Sequence, residues 1–508
     1  MTRHLYLVLF LALSVGGFAQ PLEQQTNVYT IPNQTAHFVR MPSREASTEI
    51  DAAFHNPAGL TSMKYEGWAV TINNQVPRQQ TRVTYTDRDS SVVKYPGTAS
   101  SLIFPSIFAT YNKGKWAFWT GFHVVAGAGG ASFTALPSTE NGVKAVVNLI
   151  NSVNLFGRIN NQVENNTGEV DKYFTPSEYD YDFISEGYAF TPGVFVGGTY
   201  EINDAIAFGL GGRWVMNRLI ATSTLDNIQV APDGSEDFVN YVNYLDGIAT
   251  NEPGINDQLR NEINNIWIPA IEGAQVDIDV TQTAHGFTPI FSLNLKFSEK
   301  LNLALRYEHR TKMTYTIKVN DGKDGSGLYS EDNDSTRADL PGFLSMGVAY
   351  KLTDYLKFHA GSRLLFDKAV NWNGREQYIN KNYYEISTGV EGIIGAKRKG
   401  VISGGYTWNK PNVAEAYQNE VDFRLSGHTF AIGGGVDFSE FVRLNAGLMY
   451  TYFIEGEKTV WTGINEDVFS SNSQYYKNAV VFAIGVDVAM GKGRTNGNGT
   501  EELHPEGL

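Results

Sequence analysis

Residues 344–367 read LSMGVAYKLTDYLKFHAGSRLLFD, two alternating runs joined at Thr353-Asp354. In the first run Leu344, Met346, Val348, Tyr350 and Leu352 alternate with Ser345, Gly347 and Ala349. In the second, Leu356, Phe358, Ala360, Leu364 and Phe366 alternate with Lys357, His359, Gly361, Arg363 and Asp367. Period two puts alternate side chains on opposite faces of a strand, and so short a connection makes a hairpin. In a soluble sandwich the apolar face would pack on a second sheet. Here the runs are long and regular, and their apolar faces end in Tyr307, Tyr350, Tyr450 and Tyr452, as aromatic girdles do at a bilayer interface. The opposite faces carry Arg213, Lys296, Arg306, Glu308, Arg310, Arg363, Asp437 and Arg443, too many charges for a dry core. A polar inside and a greasy outside predict an all-β transmembrane barrel.

Outward from this hairpin the alternation recurs from Tyr65 on. It places strands near 65–76, 99–111, 115–126, 188–201, 204–223, 273–297, 301–319, 339–352, 354–370, 381–396, 399–409, 424–438, 441–459 and 475–490. That makes a 14-stranded antiparallel barrel, and single-chain bacterial barrels have an even strand number. Tight turns at Lys113-Gly114, Asn203-Asp204, Ser298 to Lys300, Thr353-Asp354, Lys397-Arg398 and Ser439-Glu440 alternate with longer connections. Short periplasmic turns, long extracellular loops and periplasmic N- and C-termini follow.

The 508 residues include 51 glycines, 13% aromatics and no cysteine, with a net charge of −14. After the N-terminus no apolar run reaches the roughly 18 residues that a spanning helix needs. Without cysteine there are no disulfides, thiolate metal ligands or lipoprotein anchor, and the acidic balance argues against nucleic acid. Arg3 and His4, the apolar run Leu5 to Leu13 and the small-x-small site Gly17-Phe18-Ala19 read as a signal peptide over 1–19, cut before Gln20. Residues 20–64 then precede the first strand, 65–490 form the barrel, and the Gly/Asn-rich 491–508 is a flexible tail.

Two outer loops carry helical stripes. Val143, Val146, Val147, Ile150 and Val153 follow i, i+3, i+4, i+7 spacing, as do Phe238, Tyr241, Val242 and Leu245; Leu259, Ile263 and Ile266 precede Pro269, which is expected to stop the helix. Such stripes either pack within their own loops or line an outer groove for a greasy ligand. The groove candidates are Val143, Val146, Ile150, Phe238, Tyr241, Leu245 and Ile263.

Glu49 to Met63, EIDAAFHNPAGLTSM, has no clear period and stands just before the alternation begins. Asn56-Pro57-Ala58, with Asp51-Ala52-Ala53-Phe54 before it and Gly59-Leu60 after, resembles the Asn-Pro-Ala signature of the hatch in FadL/TodX-type outer-membrane transporters of hydrophobic compounds. Pro105, the cluster Gly127 to Gly130 and Leu340-Pro341-Gly342 are weaker echoes, and the resemblance spans most of the mature chain. It implies that residues 20–64 form a hatch (plug) in the lumen, where irregular backbone is tolerated. The Asn-Pro-Ala turn would then satisfy an unpaired stretch of wall. It also implies a third strand kinked inward, leaving a gap for sideways release into the membrane. Gly127, Gly129 and Gly130 are the candidates for that gap, because glycines weaken a strand and permit a bulge. One departure is the C-terminus: such barrels end on an aromatic residue, whereas strand 14 is followed by a tail, which is either a flexible periplasmic extension or goes with an internal insertion signal such as Phe482.

Nothing points to an enzyme. There is no H-E-x-x-H, Walker loop or G-x-S-x-G; His37, His55 and His359 are scattered, and Glu331 to Asp334 reads as a solvated loop. No catalytic residue, metal or cofactor is expected. The carboxylate of a fatty acid inside a barrel would need a cation, and the fork of Arg suits it. By alternation Arg213, Arg306, Arg310 and Arg363 face the lumen and are the anchor candidates, although Glu308, Asp367 and Asp437 share that face. The leading expectation is passive, hatch-gated uptake of a long-chain fatty acid or other hydrophobic small molecule by a multi-pass protein seated in outer-membrane lipid. The alternative is a protein-binding barrel of a secretion and surface-attachment apparatus, which would meet its protein partner through the outer loops or tail.

Overall fold

The computed structural model describes residues 34–63, 65–86, 92–324, 334–394, 400–464 and 467–493. The expected signal peptide, the start of the hatch, most of the tail, Glu331 to Asn333 and the Lys397-Arg398 turn lie outside the described residues.

One closed antiparallel barrel of fourteen staves makes up the wall. They are β1 (Tyr65–Thr86), β2 (Val92–Ser100 and Phe104–Lys113), β3 (Trp116–Phe133), β4 (Glu178–Asn203), β5 (Ile206–Ala231), β6 (Val276–Lys296) and β7 (Leu301–Glu308 and Thr314–Asp324). There follow β8 (Ser335–Arg337 and Phe343–Thr353), β9 (Leu356–Leu365), β10 (Tyr383–Ile394), β11 (Gly400–Lys410), β12 (Gly427–Asp437), β13 (Val442–Phe453 and Gly456–Ile464) and β14 (Asp467–Gly493). The barrel closes where β1 pairs with β14, in register from Tyr65↔Gly493 to Thr86↔Asn472.

The hairpin over 344–367 forms as its alternation predicts. Ser345 pairs with Arg363, Gly347 with Gly361 and Ala349 with His359. Ser345, His359 and Arg363 are buried in the lumen, whereas Met346, Tyr350, Leu352 and Phe358 are exposed outside. Trp68, Ile72, Phe118, Val194, Leu210, Phe291, Ile432 and Phe482 are exposed on other strands. A contiguous apolar exterior of this extent suits lipid rather than water. No helix among the described residues is long and apolar enough to cross a membrane.

Several strands outrun their sequence signal at the outer end. β1 continues past the expected Val76 to Thr86, β4 begins at Glu178 rather than Tyr188, and β14 begins at Asp467 rather than Tyr475. Beyond the bilayer both faces meet water, so the backbone ladder continues while the side chains no longer alternate.

Helices crown the outer end. α-Helices Pro137–Ser152 and Leu155–Thr167 lie between β3 and β4. Between β5 and β6, Tyr241–Asn251 is followed by Asp257–Glu262, a π turn over Ile263–Trp267, and Ile268–Glu272. Asn240 and Asn256 cap two of these helices by accepting from the amides of Asn243 and Leu259. Gly168, at φ 81°, ends the second. Pro269 does not stop its helix as expected. It lacks an N–H, and the turn before it widens to π spacing instead.

Candidate functional site

The described hatch consists of helix Ala36–Arg40, helix Ala52–His55 and the 3-10 turn Pro57–Ser62. Asn56 (φ −149°, ψ 69°) breaks the chain between the last two, and Pro57 starts the tighter turn. Asn56 Nδ2 donates to the Ser47 carbonyl at 2.9 Å and to Asn294 Oδ1 at 2.8 Å. The Ala58 amide donates to Ser292 Oγ at 2.9 Å, and Thr199 Oγ1 donates to the Pro57 carbonyl at 2.8 Å. Ser292, Asn294 and Thr199 belong to β6 and β4, whose backbones are paired on both sides there. Asn56-Pro57-Ala58 therefore docks on side chains of intact wall, and not on an unpaired stretch.

Buried charges tie the rest of the hatch to the barrel. Arg44 grips Asp51 (Nε–Oδ2 2.7 Å) and Glu49 (Nη2–Oε2 2.6 Å), while Arg40 reaches Glu391 at 2.7 Å and Ser403 Oγ at 2.9 Å. His37 Nε2 lies 3.0 Å from Asp487, and Arg363 bridges Glu45 (2.8 Å) and Glu385 (2.7 Å). Burial would raise the Asp51 carboxyl, yet the Arg44 guanidinium outweighs it and holds Asp51 well below its ordinary value. Donor atoms of His37, Glu49 and Asp51 come within 4.8 Å of one another, but Arg44 occupies both carboxylates and Asp487 takes the imidazole. This is an ion-pair network.

Glycines let the hatch approach this closely. A methyl group on Gly347 would lie 2.5 Å from Glu45 Cβ, one on Gly433 2.6 Å from Arg40 Cβ, and one on Gly447 2.6 Å from the Arg40 amide nitrogen. Gly361 faces Glu45, Gly389 faces Met41 and Gly405 faces Pro42 in the same way. These positions follow one another around β8 to β13, for Gly347 pairs with Gly361, Gly389 with Gly405 and Gly433 with Gly447. Hatch residues 39–46 lie in a track of bare backbone.

The wall is interrupted at one place near the hatch. β3 pairs with β2 up to His123↔Ser106 and resumes at Gly130↔Ser100. β2 itself breaks between Ser100 and Phe104, leaving Leu102 79% and Ile103 71% exposed. On its far side β3 stays paired with β4, with bulges after Val124 and Gly127. Of the gap candidates, Gly127 (φ 75°) and Gly129 lie on the bulged edge of the break, while Gly130 already pairs across it. The edge begins earlier than the glycines suggest, at Val124, whose carbonyl accepts from Gln34 Nε2 at 3.0 Å; Ser106 Oγ donates to the Gln34 carbonyl at 2.5 Å. Pro105 was the one sequence hint of a broken β2. Nothing in the sequence marked Gln34.

Three of the four arginines expected in the lumen form a buried row beside the hatch. Arg213 and Arg306 share Glu308, with Arg213 Nη2 at 2.7 Å, and Arg363 holds Glu45 and Glu385. Three guanidiniums thus meet three carboxylates, and the row is balanced. Arg306 stacks 4.3 Å above the ring of hatch Phe54 and 5.0 Å from that of Phe343. His123, fully buried beside Phe54, has among the described residues a hydrogen-bond partner on neither ring nitrogen. Arg310 departs from the expectation. β7 breaks after Glu308, the alternation loses its phase, and Arg310 is 41% exposed, held by the Ala369 carbonyl at 2.8 Å and Asp339 at 3.5 Å. Next to the row a buried apolar cluster made of Val125, Val215, Met313, Leu340, Phe343 and Leu365 continues to Trp372 and Tyr417.

The groove expected on the outer loops is filled by protein. Val143, Val146, Ile150, Tyr241, Leu245 and Ile263 are all buried in one core with Phe156, Ile159, Leu225, Val230 and Val276. The two stripes face each other and the outer strand ends, so the hydrophobic effect closes them together. Phe238 is half-buried and stands outside that core.

No protein-family profile matches the chain, and neither does any curated protein. Among solved structures, a Pseudomonas aeruginosa FadL homologue is similar over 90% of this chain and 98% of its own, with a TM-score of 0.56 at 13% identity. The TodX monoaromatic hydrocarbon channel, as its deltaS2 mutant, is similar over 91% and 99%, with a TM-score of 0.51 at 12% identity. At such identities the likeness is one of fold.

Proposed function

From a chain with the fold of FadL-type barrels, we propose an outer-membrane channel for passive uptake of hydrophobic small molecules, long-chain fatty acids among them, with sideways release through the break in the wall. In this reading residues 1–19 direct export, 20–64 are the hatch, 65–490 the barrel and 491–508 a tail, with both termini in the periplasm. Ligand enters below the crown, passes by way of the buried apolar cluster to the hatch, and meets His123 and the arginine row. It leaves between β2 and β3 when Gln34 yields. Differential affinity for the two hatch positions shifts the hatch, and the ligand's own concentration gradient drives net uptake. The carrying observation is the break itself, where the first described hatch residue bonds the free edge at Val124. The structures it resembles support the reading, one being titled a monoaromatic hydrocarbon channel. A protein-binding role gains no feature among the described residues, since the apolar side chains of the crown are consumed in its own core.

The chain has no cysteine, so a single pair can be introduced. Gln34→Cys with Ser106→Cys pins the hatch beside the break. Uptake of radiolabelled oleate or toluene into cells should stop on oxidation and return on reduction. Undiminished uptake with the disulfide verified by mass spectrometry would defeat sideways release.

A further inference from the structure

The exposed charges of the outer rim are sorted by sign. On the outer ends of β4 and β5 acids prevail, Asp180, Asp182, Glu186 and Asp226 against Arg218, in keeping with a net charge of −14. From β7 to β11 the order is reversed. Arg310, which leaves the lumen where β7 breaks, is followed around the rim by Lys312, Lys368, Lys381 and Lys410, all exposed. Lys312 shares the outward phase of exposed Thr314 and Thr316, opposite buried Met313 and Tyr315, and Lys410 that of exposed Ile402.

Hydrogen bonds join these five residues into one run. Arg310 Nη1 donates to the Ala369 carbonyl at 2.8 Å, beside Lys368, and Lys368 Nζ donates to the Asn380 carbonyl at 3.1 Å, beside Lys381. The Asn380 amide donates to the Asn412 carbonyl at 2.9 Å, and Asn412 Nδ2 donates to that of Lys410 at 3.4 Å. The acids of the same staves are spent elsewhere. Glu308, Asp339, Asp367 and Glu385 are buried, and Glu376 accepts from the amides of Trp372 (2.9 Å) and Gly374 (3.0 Å). Among the described residues from 308 to 415, the exposed acids are Asp321 and Asp334 at the far outer ends, Asp354 at the opposite turn, and Glu415. Arg310 lies 3.5 Å from Asp339, which Arg337 already holds at 2.7 Å, and among the described residues the four lysines make no ion pair.

Just inside the run, Tyr307 and Phe366 meet edge to face with centroids 6.3 Å apart, as do Tyr384 and Trp408 at 5.4 Å. Such rings mark the boundary of the hydrocarbon, so the cations stand at headgroup height and face outward. Like charges gathered in a row repel until anions lie between them. Four inter-strand spacings from β7 to β11 make about 19 Å, room for more than one phosphate.

We propose that Arg310, Lys312, Lys368, Lys381 and Lys410 are an interface for a glycolipid of the outer leaflet that carries two or more phosphates. Its phosphates rest on the cations and its acyl chains lie over Tyr307, Phe366, Tyr384 and Trp408. β9, in the middle of the run, stands nearly half of the fourteen-strand circumference from the β2–β3 break. Lipid held here therefore lies on the far side of the barrel from the break.

The full-length barrel in nonionic detergent is titrated with bisphosphorylated lipid A and with the same lipid stripped of phosphate, and occupancy is read by native mass spectrometry. Wild type should hold the phosphorylated form about tenfold more tightly, as charge-assisted contacts confer. Lys312→Gln, Lys368→Gln, Lys381→Gln and Lys410→Gln combined should bring the ratio near one. All four side chains are exposed, and heat-modified migration on gels checks that the variant is folded. Arg78→Gln with Arg218→Gln removes two exposed cations from other staves and should leave the ratio as it is. Equal wild-type affinities, an unchanged ratio in the quadruple variant or an equal fall in the control would overturn the interface. Displacement of the lipid by inorganic phosphate at equal concentration, or equally tight binding of phosphatidylglycerol, would overturn the polyphosphorylated lipid as its occupant. None of these outcomes depends on what the channel conducts.

Discussion

The hatch and the crown both close off the barrel, and they differ in how far charge is used to fasten them. The hatch is fixed by Arg40, Arg44, Arg363 and their carboxylates, pressed against glycines of the wall. The crown is fixed by Val143, Ile150, Phe156, Leu245 and Ile263 in an oily core. The difference follows from where each sits. In the membrane the outward face of every strand takes most of the apolar residues, so the hatch adds buried ion pairs and close backbone contact to smaller apolar contacts, such as Phe54 and Leu60 with Phe108, Trp119 and Phe195. Above the membrane the ordinary hydrophobic effect is available again.

The strongest way to break this contrast is Arg44→Met. Asp51 and Glu49 would remain buried without their guanidinium, a loss of about 3–5 kcal/mol, and the hatch should leave its seat. Larger ion conductance in planar bilayers, with the gel migration of the barrel unchanged, is the expected result. Acid offers a reversible counterpart. Asp51 and Glu49 titrate below their ordinary values of 3.8 and 4.5, with burial opposing the shift and Arg44 outweighing it. Their contribution is fully present above those ordinary values and is lost as pH falls through the lower folded ones. Hatch protection in hydrogen exchange should therefore hold from neutral pH down to about pH 5 and decay only below about pH 4, while the crown core stays protected.

Leu245→Ala tests the other side of the comparison. It should cost the crown about 2–5 kcal/mol and expose its loops to protease without changing conductance. Gly447→Ala separates close approach from charge in the hatch. Its methyl meets helix backbone, which cannot turn aside, so a loss of about 1–3 kcal/mol in hatch docking is expected with every ion pair retained. Unchanged melting of that variant would mean the track has room to spare.

Much of the wall was legible because lipid outside and water inside impose period two on each stave. Ser345, His359 and Arg363 lie inside as read. The signal failed where its cause failed: at Thr86 and Glu178, beyond the bilayer, and at Arg310, past a break in β7. The site was harder to read. Asn56-Pro57-Ala58 marked the hatch, but its partners Ser292, Asn294 and Thr199 are far away in sequence and of no unusual type. Gln34 and His123 carried no motif at all, since what sets them apart is which bonds they make or lack.

The glycine track bears on how the molecule is put together. The hatch precedes every strand in the chain, yet residues 39–46 lie against glycines of β8 to β13, which come late in the chain. β1 and β14 must zip from Tyr65↔Gly493 to Thr86↔Asn472 to finish the cylinder. The seat of the N-terminal segment is therefore complete only when strands from the far half of the chain stand side by side.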